Sequence, residues 1–318
     1  MEWYFIFLIV VGSVLLLLLT FYFVLGGIFI HIYLSKNSIH KIFKKNAALP
    51  NNPFYQQVDL EWFNDENIFH IISIPSFDHQ VINAHVAMNP QPSHQYIIYV
   101  HGWCGSPDEE TKLLKDIYQK LNYNIICIEQ RAQWDSRIKL CTMGIRESRD
   151  LLDWINYVIK LDHQAQIVLY GMSMGAATVS MVNKYFLPQQ VKCLIADAGY
   201  SSIYETFLDS SYALFRPWFS HLLISSAYVD LKMFYHLDIK KESPIKALAN
   251  CQIPCLFIQG DQDQMVPFAC LARNAAAVKP GVYVKTEVFA GVLHGLCAVA
   301  DYNRYYQITT DFIKNQNK

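Results

Sequence analysis

Charge is scarce in this 318-residue chain. Asp, Glu, Lys and Arg together make up 17% of residues, and the formal net charge is -1. Such a balance supplies no basic field for a phosphate backbone, so nucleic acid is not an expected partner. The eight cysteines form no C-x-x-C pair and have no zinc-type spacing with histidine. Neither a metal site nor a disulfide framework is therefore expected. Cys127 and Cys255 lie inside apolar runs and read as small core residues. Phosphate-cradling patterns are missing too: there is no G-x-G-x-x-G and no P-loop. No cofactor is expected.

The N-terminus lacks charge altogether from Trp3 to Leu34, and residues 6–19 are almost purely aliphatic. About 20 apolar residues suffice to cross a bilayer, so residues 1–34 read as one transmembrane anchor. A cleaved secretory signal would carry a basic n-region and a small-residue cleavage site, and neither is evident. Lys36, Lys41, Lys44 and Lys45 follow the span and no basic residue precedes it. The positive-inside rule then favours a cytoplasmic C-terminal domain. Residues 35–54 read as a polar linker, and the globular domain as residues 55–318.

Within that domain short apolar runs alternate with helical patterns. Residues 96–100, 124–128, 167–170, 191–196, 255–258 and 282–288 read as strands, most too continuously apolar for a one-sided sheet. Residues 109–121, 147–159 and 266–278 carry apolar residues at helical spacing. The alternation implies an α/β fold, a mostly parallel sheet with helices on both faces. Residues 69–74 and 81–86 are expected to form an antiparallel edge. Residues 201–248 interrupt the rhythm with a dense set of aromatics and read as a small helical cap over the active site.

Gly171-Met172-Ser173-Met174-Gly175 follows a strand and opens a small-residue helix. In that setting G-x-S-x-G is a strained turn that exposes a nucleophilic hydroxyl, here Ser173. A base should follow an acid in chain order, and His294 lies in the loop after the last expected strand. Asp261 and Asp263 follow the strand at 255–258, and Asp197 follows the one at 191–196, so three aspartates compete to orient it. Asp261 also suits a turn cap. The loop His101-Gly102-Trp103-Cys104-Gly105 follows another strand and can present backbone donors. Trp103 and Met174 are the expected oxyanion donors, and His101 is expected to hold the loop.

These residues resemble the α/β-hydrolase superfamily over about residues 60–316, and within it the membrane-anchored serine hydrolases of the esterase and peptidase branch. Beyond the serine pentapeptide, the similarity rests on three stretches: residues 144–150 (GIRESRD), 195–200 (IADAGY) and 257–267 (FIQGDQDQMVP). By that resemblance the family acid falls on Asp263 rather than Asp261 or Asp197. The resemblance departs at residues 131–136 (RAQWDS), where relatives commonly carry Arg followed by His-Gly-x-Ser. The expected function is hydrolysis of an ester, thioester or related acyl bond through an acyl-enzyme, without metal or organic cofactor. A serine peptidase for short peptides and a non-catalytic binding protein of the same fold are the alternatives. The aromatic cap points to an apolar acyl substrate. A chain starting near residue 46 is expected to be soluble and active.

Overall fold

The computed structural model describes residues 2–47 and 53–316. Two helices come first, α1 (Glu2–Leu34) and α2 (Lys36–Ala47), then a 3-10 turn at Pro53–Gln57 and the short α3 (Leu60–Phe63). Strands β1 (Phe69–Pro75), β2 (Val81–Ala87) and β3 (Gln95–Val100) lead into α4 (Thr111–Leu121), β4 (Asn124–Ile128) and α5 (Glu147–Leu161). Next come β5 (Gln166–Met172), α6 (Met174–Met181) and β6 (Val191–Asp197). Helices α7 (Ile203–Tyr212), α8 (Pro217–Phe234) and α9 (Pro244–Leu248) form the cap insertion. The chain closes with β7 (Cys255–Gly260), α10 (Ala269–Ala277), β8 (Val284–Phe289), α11 (Cys297–Ala300) and α12 (Tyr302–Gln316).

All eight strands form one sheet in the order β1-β2-β4-β3-β5-β6-β7-β8. β1 pairs antiparallel with β2, and β2 antiparallel with β4, while every other pairing is parallel. The expected antiparallel edge and parallel centre are both present. The central strands are apolar on both sides because each face carries a core. Trp154, Leu151 and Val179 pack on one face, and Tyr170, Leu113 and Tyr305 on the other. This is the α/β-hydrolase arrangement.

The helix expected over residues 266–278 begins only at Ala269. The Asp263 carboxylate accepts the Met265 and Val266 N–H groups at 2.9 and 2.8 Å, which holds the chain in a side-chain-closed turn and delays the helix. The polar stretch after α1 is also more ordered than a linker. Lys36–Ala47 is helical, the Cys141 and Lys36 amides donate to Leu34 and Lys139 oxygens at 2.9 Å each, and Ser35 bridges Leu140. Residues 48–52 of that stretch, and the side chains of Lys44 and Lys45, lie outside the described residues.

α1 is the one helix among the described residues long and apolar enough to cross a membrane. It is exposed all round from Glu2 to Phe21, but Gly26, Phe29, Ile30 and Leu34 are buried against the cap. A third core, separate from the two sheet faces, joins Phe29, Ile30 and Leu34 to Phe207, Leu223, Ile224, Met143 and Met174.

Candidate active site

Ser173 stands between β5 and α6 with φ 55° and ψ -115°. A non-glycine residue in that region carries a strain of roughly 1–3 kcal/mol and persists only where its surroundings enforce it. Here the Ser173 N–H donates to the Asp197 carbonyl on β6 at 2.7 Å, and its own carbonyl receives the Ala177 N–H at 3.1 Å. The following helix must also press against β3. A Cβ on Gly175 would lie 1.8 Å from the Val100 oxygen, so glycine alone permits that approach.

His294 reaches the serine from the loop after β8. Its Nε2 lies 2.8 Å from Ser173 Oγ and its Nδ1 2.7 Å from Asp263 Oδ2. A carboxylate only accepts, so Nδ1 carries the proton and Nε2 is left as acceptor for the serine hydroxyl. Gln259 Nε2 donates to the same Asp263 oxygen at 3.1 Å, while Oδ1 is held by the two turn amides. The carboxylate is thereby fixed on both oxygens.

The other two aspartates are engaged elsewhere. Asp261 Oδ1 accepts the Gly291 N–H at 2.7 Å and closes the turn that carries His294. Asp197 Oδ2 accepts the Tyr305 hydroxyl at 2.8 Å, and Tyr305 meets Tyr170 at 2.9 Å, a buried polar series behind the site. Burial pushes the Asp197 carboxyl up to about 7, against the smaller opposing effect of the Tyr305 bond.

The loop after β3 runs beside Ser173, since a Cβ on Gly102 would sit 3.4 Å from that of Ser173. His101 is fully buried, places Nδ1 2.9 Å from the Gly102 carbonyl and accepts the Gln130 N–H on Nε2 at 3.2 Å. Burial holds it down at about 4, so it is a neutral brace. The Glu109 carboxyl, which accepts the Gly102 N–H at 3.3 Å, is pushed up to about 8 by its burial. At the departure from the family pattern, Arg131 is buried and doubly clamped, by Asp150 at 2.6 and 2.7 Å and by Asp78 at 2.7 and 2.9 Å.

A cavity of about 280 Å³ opens above Ser173 and His294. Trp103 and Met174 line it together with the cap residues Phe207, Phe215 and Leu223. Phe29 and Tyr33 of α1 complete the wall. Sequence reasoning missed these two. Their signal was the length of α1: 33 residues span about 50 Å, well beyond the roughly 30 Å of a hydrocarbon core. A chain starting near residue 46 lacks both, along with the Phe29, Ile30 and Leu34 side chains of the third core. The expectation of a soluble, active chain from there treated the helix as separate from the cavity that Phe29 and Tyr33 line.

Residues 130–318 match the family profile described as the prolyl oligopeptidase family, more than half of the chain. This protein belongs to that family. Alpha/beta hydrolase domain-containing protein WAV2 of Arabidopsis thaliana is 27% identical over 61% of this chain. The match spans 62% of WAV2's own length. A non-heme haloperoxidase of Rhodococcus erythropolis is 24% identical over 64% of this chain and 86% of its own. Among solved structures, the Pyrococcus furiosus esterase Pf2001 superposes with a TM-score of 0.60 at 19% identity, covering 78% of this chain and 90% of its own. The Pyrococcus horikoshii acylaminoacyl peptidase superposes at 0.59 and 17%, covering 84% and 43%. At such identities the superpositions speak for the fold.

Proposed function

We propose that this chain is a membrane-anchored serine hydrolase that cleaves an ester, thioester or related acyl bond through an acyl-enzyme. The reading rests on one observation, the hydrogen-bonded series Ser173, His294, Asp263 at 2.8 and 2.7 Å on the floor of an apolar cavity. In it Ser173 Oγ attacks the acyl carbon while His294 Nε2 takes the hydroxyl proton. Asp263 orients the ring and stabilises the imidazolium. The oxyanion meets the backbone N–H groups of Trp103 and Met174, the latter at the N-terminus of α6. The leaving alcohol or thiol receives the proton from His294. Water then repeats the sequence and frees Ser173.

The helix reading follows from its packing. Gly26, Phe29, Ile30 and Leu34 are buried against the hydrolase domain, which favours a retained anchor over a cleaved signal. Lys36 and Lys41 just after α1 favour a cytoplasmic domain, with Lys44 and Lys45 of the sequence adding to the same bias. The organisation remains an anchor at residues 1–34 and a hydrolase domain at 55–318 with its cap at 201–248, except that the anchor's inner end serves both.

The family match favours a second reading, a peptidase for short peptides. The mostly apolar lining favours an acyl ester instead. A fluorophosphonate probe tests both against a binding protein: labelling of the full chain that is lost in Ser173→Ala is expected. Without labelling, the hydrolase reading fails. Faster turnover of p-nitrophenyl esters than of aminoacyl p-nitroanilides then selects the esterase, and the reverse order the peptidase.

A further inference from the structure

α1, the one described helix long and apolar enough to cross a membrane, reaches the candidate site through an aromatic series. Phe207 of the cap meets Phe29 edge-on at 5.1 Å, Phe29 stacks on Tyr33 at 4.6 Å, and Tyr33 stacks on Trp103 at 6.1 Å. The Tyr33 carbonyl, which the helix terminus leaves without an intrahelical partner, accepts the Trp103 indole N–H at 3.1 Å. The helix thus touches both the cap and the loop beside Ser173.

The fully exposed part of α1, residues 3–21, is about 28 Å long at about 1.5 Å per residue, close to the roughly 30 Å of a hydrocarbon core. Docking begins at once: Tyr22 hydrogen-bonds Ser225 of α8 at 2.8 Å, and Phe23 lies 5.9 Å from Phe234. In the membrane-anchored reading this docking holds the cap at the membrane surface. Phe29 follows Phe21 by about 12 Å along the axis. Over that interval Val24, Ile28 and Ile32, four residues apart on one helix face, remain uncovered. On the cap, Leu214 and Trp218 are 65% and 70% exposed and flank Phe215, which lines the cavity. Exposed apolar side chains thus lie along α1 between its uncovered span and the cavity wall, and beside Phe215 on the cap.

Building on the hydrolase reading, we propose that the substrate is a bilayer-resident ester with a single acyl chain, which slides along the docked end of α1 into the cavity walled by Phe29, Tyr33, Phe207 and Phe215. A volume of about 280 Å³ lies just below the usual range of ligand pockets, about 300–1,000 Å³, which leaves room for one acyl arm and not for two. The exposed rim at Leu214 and Trp218 seats in the interface, where Trp and aliphatic side chains are favoured.

The test uses the full chain in phosphatidylcholine vesicles, with monooleoylglycerol in the bilayer and p-nitrophenyl butyrate in the water. Both esters are expected to turn over. In the double variant Leu214→Ser, Trp218→Ser the ratio of vesicle-borne to dissolved turnover should fall about tenfold. Phe29→Ala should lower the ratio of p-nitrophenyl octanoate to acetate turnover by about tenfold, about what two buried methylenes contribute. If butyrate is hydrolysed but the bilayer ester is not, or the ratio is unmoved by the rim variant, this inference is overturned while the hydrolase reading stands. Loss of butyrate turnover in the wild type overturns the hydrolase reading itself.

Discussion

The polar floor of the site and its apolar walls are assembled in different ways. Ser173, Asp263 and His294 each sit one to five residues beyond the end of a strand of the same sheet, so the parallel register of β5, β6, β7 and β8 sets their spacing. The walls come largely from α1, from the cap at 201–248 and from the loop after β3, segments far apart in sequence that meet only in the folded protein. In the proposed mechanism chemistry rests on the rigid element, and selection among substrates on the assembled one. Damage to the floor should therefore remove activity outright, whereas damage to the walls should change which esters are used.

The floor gives the largest effects. Ser173→Ala should retain the wild-type melting temperature while kcat falls by about 10⁶. Retention of a tenth of the turnover would remove Ser173 from its role. Asp263→Asn should lower kcat by about 10⁴, because the amide no longer fixes the Nδ1-protonated imidazole. Asp261→Asn and Asp197→Asn touch neither nitrogen of His294 and should each cost less than about tenfold. A larger loss from either in steady-state kinetics would move the acid assignment.

The walls give intermediate effects, and Gly26 is where they are most vulnerable. A Cβ there would lie 2.4 Å from Asp230 Oδ2 and 2.7 Å from the Ser226 backbone, so α1 and α8 cross in contact only because residue 26 is glycine. Gly26→Ala should push the helices apart at a cost of about 1–3 kcal/mol. The octanoate-to-acetate ratio should drop severalfold with kcat for acetate within about twofold. An unchanged ratio would separate the α1 docking from the cavity. Removal of residues 1–34 should go further and abolish the chain-length preference.

The difference between the halves also decided what could be read from the chain. The place of Ser173 at a strand-to-helix turn was legible because G-x-S-x-G is a local pattern, five residues flanked by a strand and a helix. His294 followed from chain order. Asp263 was not separable from Asp261 and Asp197 on the residues alone, since each ends a strand; only resemblance favoured it. The structure puts Asp263 against the imidazole, Asp261 in the turn and Asp197 behind Tyr305. Phe29 and Tyr33 were hidden by their own segment. An apolar run reads as one span whether its last three turns lie in lipid or against protein, because both environments select the same side chains.

The smallest expected effect concerns Asp197, the acid the floor does not use. Its carboxyl is fully buried on β6, and burial raises it from an ordinary 3.8 to about 7. The folded state therefore holds this proton between about pH 4 and pH 7, where the unfolded chain has released it. The sign follows: stability from this group is fully present below about pH 4 and is lost as pH rises through 7. The full loss has an upper bound of about 4 kcal/mol, three pH units at about 1.4 each, and relaxation of the buried site will shrink it. Asp197→Asn keeps a neutral side chain beside Tyr305 at every pH. Its stability relative to wild type should thus improve by about 1–3 kcal/mol between pH 5 and pH 8, read from urea midpoints at fixed ionic strength. Parallel pH curves for the two proteins would mean that Asp197 is already ionised at pH 5, and that the Tyr170, Tyr305 and Asp197 series carries a charge behind the site.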